Sequence, residues 1–187
     1  MKEIYSYITT RLNELNFIHS VKGLCKMVIE EDKQFPAYYI GNDELRQVTN
    51  SDFNAGVAFF LPNGEYSISD GEQLIAGKTF SRISIPVSFY CIIRNGTKGA
   101  DDANYSGDLA IDFLKSISFK NPFVLRTLLQ VSKCYTELES IETKAISVLD
   151  ELFVNVDKPD SHDVAAIRIN MRIVAEGNID CINLLTC

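Results

Sequence analysis

Along the first turns of the chain, Ile4, Ile8, Leu12 and Leu15 stand four, four and three residues apart, with Lys2, Arg11, Asn13 and Glu14 elsewhere. That spacing lines one side of a helix over residues 2–16. Then the period drops to two. Val21, Gly23, Cys25, Met27 and Ile29 alternate with Lys22, Leu24, Lys26, Val28 and Glu30, the pattern of a strand with a single core face. The apolar stretch PAYYIGN at 36–42 is expected to pair next to it. Residues 57–69, VAFFLPNGEYSIS, place Pro62, Asn63 and Gly64 between two β-prone runs, which predicts a hairpin. Residues 70–77 read as a loop.

The clearest alternation follows. Ile83, Ile85, Val87, Phe89, Cys91 and Ile93 take the odd positions and Arg82, Ser84, Pro86, Ser88, Tyr90, Ile92 and Arg94 the even ones. At about 3.3 Å per residue, residues 81–94 extend roughly 45 Å, longer than common strands. Pro86 has no N–H to give, so it predicts an edge strand or a bulge in place of a strand paired on both sides. A matching pattern closes the chain, with Ala165, Ile167, Ile169, Met171, Ile173 and Ala175 against Ala166, Arg168, Asn170, Arg172, Val174 and Glu176. Both strands are expected to lay their apolar faces on the same helices.

Between them, Ser106 is placed to cap a helix with Asp108 in its first turn and Ala110, Phe113, Leu114 and Ile117 on one face. Pro122 marks a break. Thr136 and Glu139 fit a capping box, and Leu138, Ile141, Ala145, Leu149 and Leu152 continue a helical stripe, although residues 141–148 also fit a strand. DKPDSHD at 157–163 is a turn. The expected class is α+β: a mostly antiparallel sheet with long amphipathic strands, packed by an N-terminal helix and one or two later helices, in a single domain over residues 1–187.

Composition changes this picture little. With 187 residues, 46% hydrophobic and 23% charged, the chain is long enough to bury a sizeable core. It holds no run of about 20 apolar residues, so no membrane contact is expected. The N-terminal stretch mixes charge with apolar positions, unlike a secretory signal, which predicts synthesis into the cell interior. Five cysteines without a C-x-x-C pair suggest buried reduced thiols, neither a disulfide framework nor a zinc ribbon. A net charge of −7 argues against general nucleic-acid binding, which requires clustered basic residues.

Candidate chemistry is sparse. Asp102, Asn104, Ser106 and Gly107 match the start of a calcium loop, but the twelfth position, where a bidentate Glu belongs, is Phe113. An acidic connector ending in a Ser cap is the simpler reading. His19 and His162 are far apart in sequence and are read as surface residues, and neither G-x-S-x-G nor a phosphate loop occurs. No cofactor is implied, and an enzyme is disfavoured. The even-parity residues are more suggestive: Arg and Tyr are enriched at protein interfaces. Arg82, Pro86, Tyr90, Arg94, Arg168 and Arg172, with Asp101 and Asp102 of the loop, form the expected interface set.

The order of the segments KEIYSYITTRLNEL, SRISIPVSFYCIIRNG, GDLAIDFLKSI and VAAIRINMRIVAEGNIDCI resembles that of tail terminator, or tail completion, proteins of long-tailed bacteriophages. The resemblance implies a ring, usually a hexamer of the chain with itself, that caps the tail tube and meets the head or neck connector proteins. It implies location in the virion after assembly in the host cytoplasm, with DNA passing through the lumen without specific binding. Residues 121–160 are longer and more helical than that pattern requires, and residues 57–69 read as an insertion. A negative lumen would let DNA pass without sticking. Ring closure is expected through the long strand at 81–94, as an edge, and the loop at 95–107. The alternative is a small binding or regulatory domain that uses its sheet face for a ligand or a partner protein.

Overall fold

The computed structural model describes residues 2–53, 55–75, 78–97 and 106–178. Helix α1 (Lys2–Leu12) buries Ile4, Ile8 and Leu12. Its end is tied down by Arg11, whose guanidinium donates to the carbonyls of Lys115 and Ser118, both at 2.8 Å. Those carbonyls close helix α2 (Ser106–Ile117), where a cation complements the negative end of the helix dipole. Leu109, Ala110, Phe113 and Ile117 face inward from α2.

The strands are β1 (Ser20–Leu24), β2 (Lys26–Glu30), β3 (Lys33–Gly41), β4 (Glu44–Gln47), β5 (Gly56–Pro62), β6 (Ser67–Ile75), β7 (Lys78–Arg94), β8 (Lys133–Glu142) and β9 (Val164–Asn178). Helices α3 (Phe123–Leu129) and α4 (Ala145–Leu152) flank β8 in sequence. The main sheet runs β1-β5-β7-β9-β8 with β6 also on β7, and β2-β3-β4 form a second sheet. Every pairing is antiparallel except β1 with β5. The fold is α+β, with a mostly antiparallel sheet and an N-terminal helix.

Two cores flank the main sheet. On one side the odd residues of β7 and β9 meet α1, α2 and α3, as the alternation predicts. On the other side α4 and the small sheet pack Val148, Leu149, Leu152, Cys25 and Val48 against Phe59, Tyr90, Ile92 and Ala166. This second cover reaches only the Arg94 end of β7. Beyond it, Ser84, Pro86 and Ser88 with Asn170 and Arg172 form a polar half-face on which Ser84 and Ser88 are buried and Arg172 is exposed.

Several expectations are corrected. The strand expected from 21 to 30 breaks at Cys25 into two strands of different sheets. Gly23, at φ +72°, and the register shift beside it turn the chain, so Val28 is buried and Ile29 is 70% exposed. The hairpin expected at 57–69 does not form. β5 and β6 lie end to end along one side of β7, and β6 includes residues 70–75, which read as a loop. Seventeen residues of β7 are long enough to pair with both. β7 is therefore no edge: β9 covers its other side from Phe80 to Arg94.

Pro86 keeps its place because the Asn63 N–H donates to its carbonyl at 3.1 Å. Its nitrogen, on the same side in an antiparallel strand, faces the interruption between β5 and β6. Pro86 thus sits neither at an edge nor in a bulge, since β7 and β9 pair in unbroken register through Pro86 and Arg172, and the interruption lies in the neighbour on the other side. The helix expected from the Thr136 box is strand β8 up to Glu142, and only residues 145–152 are helical. Thr136 Oγ1 accepts from the Phe119 N–H at 3.0 Å, not from a helical turn. Long-range pairing with β9 outweighs the local helical signal. Asp101, Asp102 and Asn104 lie outside the described residues.

Candidate functional site

Pairing with β9 brings the expected residues onto one face. Pro86 stands opposite Arg172 and Tyr90 opposite Arg168, with Arg82 farther along β7. The face is not a free array of cations. Arg82 reaches Glu137 at 2.7 Å, Arg172 reaches Glu139 at 2.5 Å, and Arg168 pairs with Glu151 of α4. Arg94 sits at the covered end, bonded to the Phe53 carbonyl at 2.9 Å and 3.5 Å from Asp163. Each arginine of the expected set thus spends its charge within the subunit. The carboxylates that hold them, Glu137, Glu139 and Glu151, were missed because 136–152 read as one helix. The signal that could have found two of them is the alternation of Tyr135, Glu137 and Glu139 against Cys134, Thr136 and Leu138.

The same polar face continues as a hydrogen-bond network. Ser88 Oγ donates to Asn170 Oδ1 at 2.6 Å, and Asn170 Nδ2 donates to Ser140 Oγ at 2.9 Å. The Tyr135 hydroxyl donates to Glu176 at 3.1 Å. Burial pushes the Tyr90 phenol up, partly opposed by Ser88 and Arg168, so Tyr90 stays a proton donor, 3.3 Å from Glu151. Where the second cover stops, a cleft of about 290 Å³ opens among Met27, Leu61, Asn63, Tyr90, Glu151 and Arg168. That volume is at the small end for ligand sites.

The main sheet ends in strands that no other described strand covers. The outer edge of β8 is partly closed: Thr136 N–H donates to the Phe119 carbonyl at 3.0 Å and Asn121 N–H to the Cys134 carbonyl at 2.7 Å. From Leu138 to Glu142 no described strand pairs with that edge. Leu138 and Ile141 there are 49% and 43% exposed. At the opposite end lies β1, with Leu24 46% exposed. An unpaired edge with apolar side chains is a template for another chain.

A groove of about 730 Å³ between α1 and α3 is lined by Tyr7, Val124, Leu125 and Leu128. His19 and His162 are both exposed. Among the described residues no group of three or more His, Cys, Asp or Glu is placed to hold a metal ion, and no helix is long and apolar enough to cross a membrane. No protein-family model and no curated protein matches this sequence.

Proposed function

We propose that this chain is a non-enzymatic structural subunit that closes into a ring with copies of itself, in the manner of a phage tail terminator. One observation carries the reading: the β1-β5-β7-β9-β8 order has an open outer edge at each end, on β1 and on the second half of β8. β1 runs parallel to β5, and β5, β7, β9 and β8 alternate in direction, so the two outer strands run opposite ways. A copy set beside the first in the same orientation then meets it in antiparallel pairing. Such a contact is heterologous, and heterologous contacts generate rings when the rotation closes. The long strand β7 plays no part in it.

In this reading the ring, a hexamer by the resemblance, caps the tail tube, meets the head or neck connector proteins and resides in the virion. With a net charge of −7, it lets DNA pass without holding it. Light scattering and negative-stain microscopy test the proposal. Particles several times 21.0 kDa with a central hole are expected. A chain that stays monomeric at tens of micromolar, alone and with tail tube protein, overturns it.

The cleft beside Tyr90 and Arg168 favours a second reading, a monomeric binding domain. Native mass spectrometry of protein purified from cell extract would then show a small molecule bound to the monomer.

A further inference from the structure

The two open edges match one another in detail, and we infer that residues 138–142 of β8 pair antiparallel with Ser20–Leu24 of β1 in the next copy of this chain. This rests on the ring reading and names its interface.

The first match is position. Ile141 stands opposite Ile169, Ile169 opposite Phe89, Phe89 opposite Phe60 and Phe60 opposite Leu24. One row of apolar residues on the helix side therefore crosses the whole sheet and ends in a half-exposed residue at each side. The two open stretches lie at the same height. β6, the other open stretch beside β1, does not: it begins opposite Ser84, past Val87, which is level with Leu138.

The second match is shape. Both edges carry a register shift, between Leu138 and Ser140 in one and between Val21 and Gly23 in the other. Each shift puts two apolar residues three apart on the same side of the sheet. Leu138 and Ile141 pair with Met171 and Ile169 of the helix-side core, and Val21 and Leu24 pair with Ala58 and Phe60 of that core. A regular strand would place residues three apart on opposite faces. Two regular edges would not need this correspondence. Two edges kinked alike can lie together, with Leu138 on Leu24 and Ile141 on Val21. That alignment is offset by three residues from the level row, and closing a sheet on itself requires such a stagger.

The third match is charge. In this register Lys22 falls between Glu139 and Glu142 of the neighbouring copy, all on the α4 side of the sheet, opposite α1, α2 and α3. Glu139 lies on that face because it reaches Arg172, and Lys22 because its ammonium lies 4.7 Å from the centre of the Tyr38 ring. A Cβ added to Gly23 would meet nothing within 4 Å, so the bend in β1 leaves space for a neighbour. Opposite charges across a strand pair favour the contact, and like edges of β8 would set glutamates against each other.

The test uses Leu138→Cys and Leu24→Cys, alone and together, with mild oxidation of the assembled protein and denaturing gels. Directly opposed residues bring their Cβ atoms close enough for a disulfide. The double variant is expected to give a ladder of covalent multimers up to the ring number, and each single variant no more than the unmodified protein. Self-linking of Leu138→Cys alone would mean that β8 meets β8, and overturns the inference. Rings that form without the ladder also overturn it, but leave the ring reading standing. Monomers throughout overturn both. Leu138→Lys is a second measure: it is expected to dissolve the particles without unfolding the subunit, whereas Ile111→Lys, on the half-exposed face of α2, is expected to leave them intact.

Discussion

Cys25, Cys91 and Cys134 are buried and free, as the scattered cysteines of the sequence suggest. Burial pushes the Cys25 and Cys134 thiols up to about 12, and it raises Cys91 as well. In the unfolded chain a thiol ionises near pH ~8.5. Above that pH the unfolded chain sheds these protons while the folded chain keeps them, so stability is present below about pH 8.5 and falls as pH rises toward 12. The slope is about 1.4 kcal/mol per pH unit for each thiol. Urea unfolding between pH 8 and 10.5 is expected to show this decline, and Cys134→Ala to make it shallower. A stability independent of pH over that range would contradict the burial. The arginines teach a related lesson. Their parity was legible in the sequence, but their partners were not, because a carboxylate on another strand or on α4 is identified only by the tertiary arrangement.

Strand β7 separates two consequences of one proline. The nitrogen of Pro86 faces the gap between β5 and β6, so no ladder bond is lost there. Pro86→Ala is expected to change stability by less than about 1 kcal/mol. At Val87 the backbone turns toward β9, opposite Met171, and a proline would remove a ladder bond inside the sheet. Val87→Pro is expected to cost more than about 3 kcal/mol or to prevent folding, as read by circular dichroism and urea titration. The sequence identified a conflict at this position, and its resolution depended on a neighbour that breaks in the right place. The same limit explains β8. TELESIE satisfies a capping box and a helical stripe, yet β9 offers its edge to those residues, and pairing along Lys133–Glu142 wins.

The two cores share their strands. Phe59 and Phe60 point to opposite sides of β5, and Phe89 and Tyr90 to opposite sides of β7. Disruption of either side therefore reaches the other through the sheet. Phe113→Ala on the helix side and Leu152→Ala on the α4 side are each expected to cost about 3 to 5 and 2 to 5 kcal/mol, respectively. Both are fully buried, and in both variants tryptophan-free near-ultraviolet and far-ultraviolet circular dichroism are expected to report one shared transition. Separate transitions would show that the α4 side folds as its own unit. The residue alternation was enough to specify α1, α2, β7, β9 and their common buried face, because side-chain period is a local property that burial on one side imposes. It could not specify that β7 is central, that β5 and β6 share its flank, or that the arginines are neutralised. Those depend on which distant backbone supplies each hydrogen bond, and only the assembled sheet decides that. The same assembly makes β1 and the second half of β8 the open ends of the β1-β5-β7-β9-β8 order.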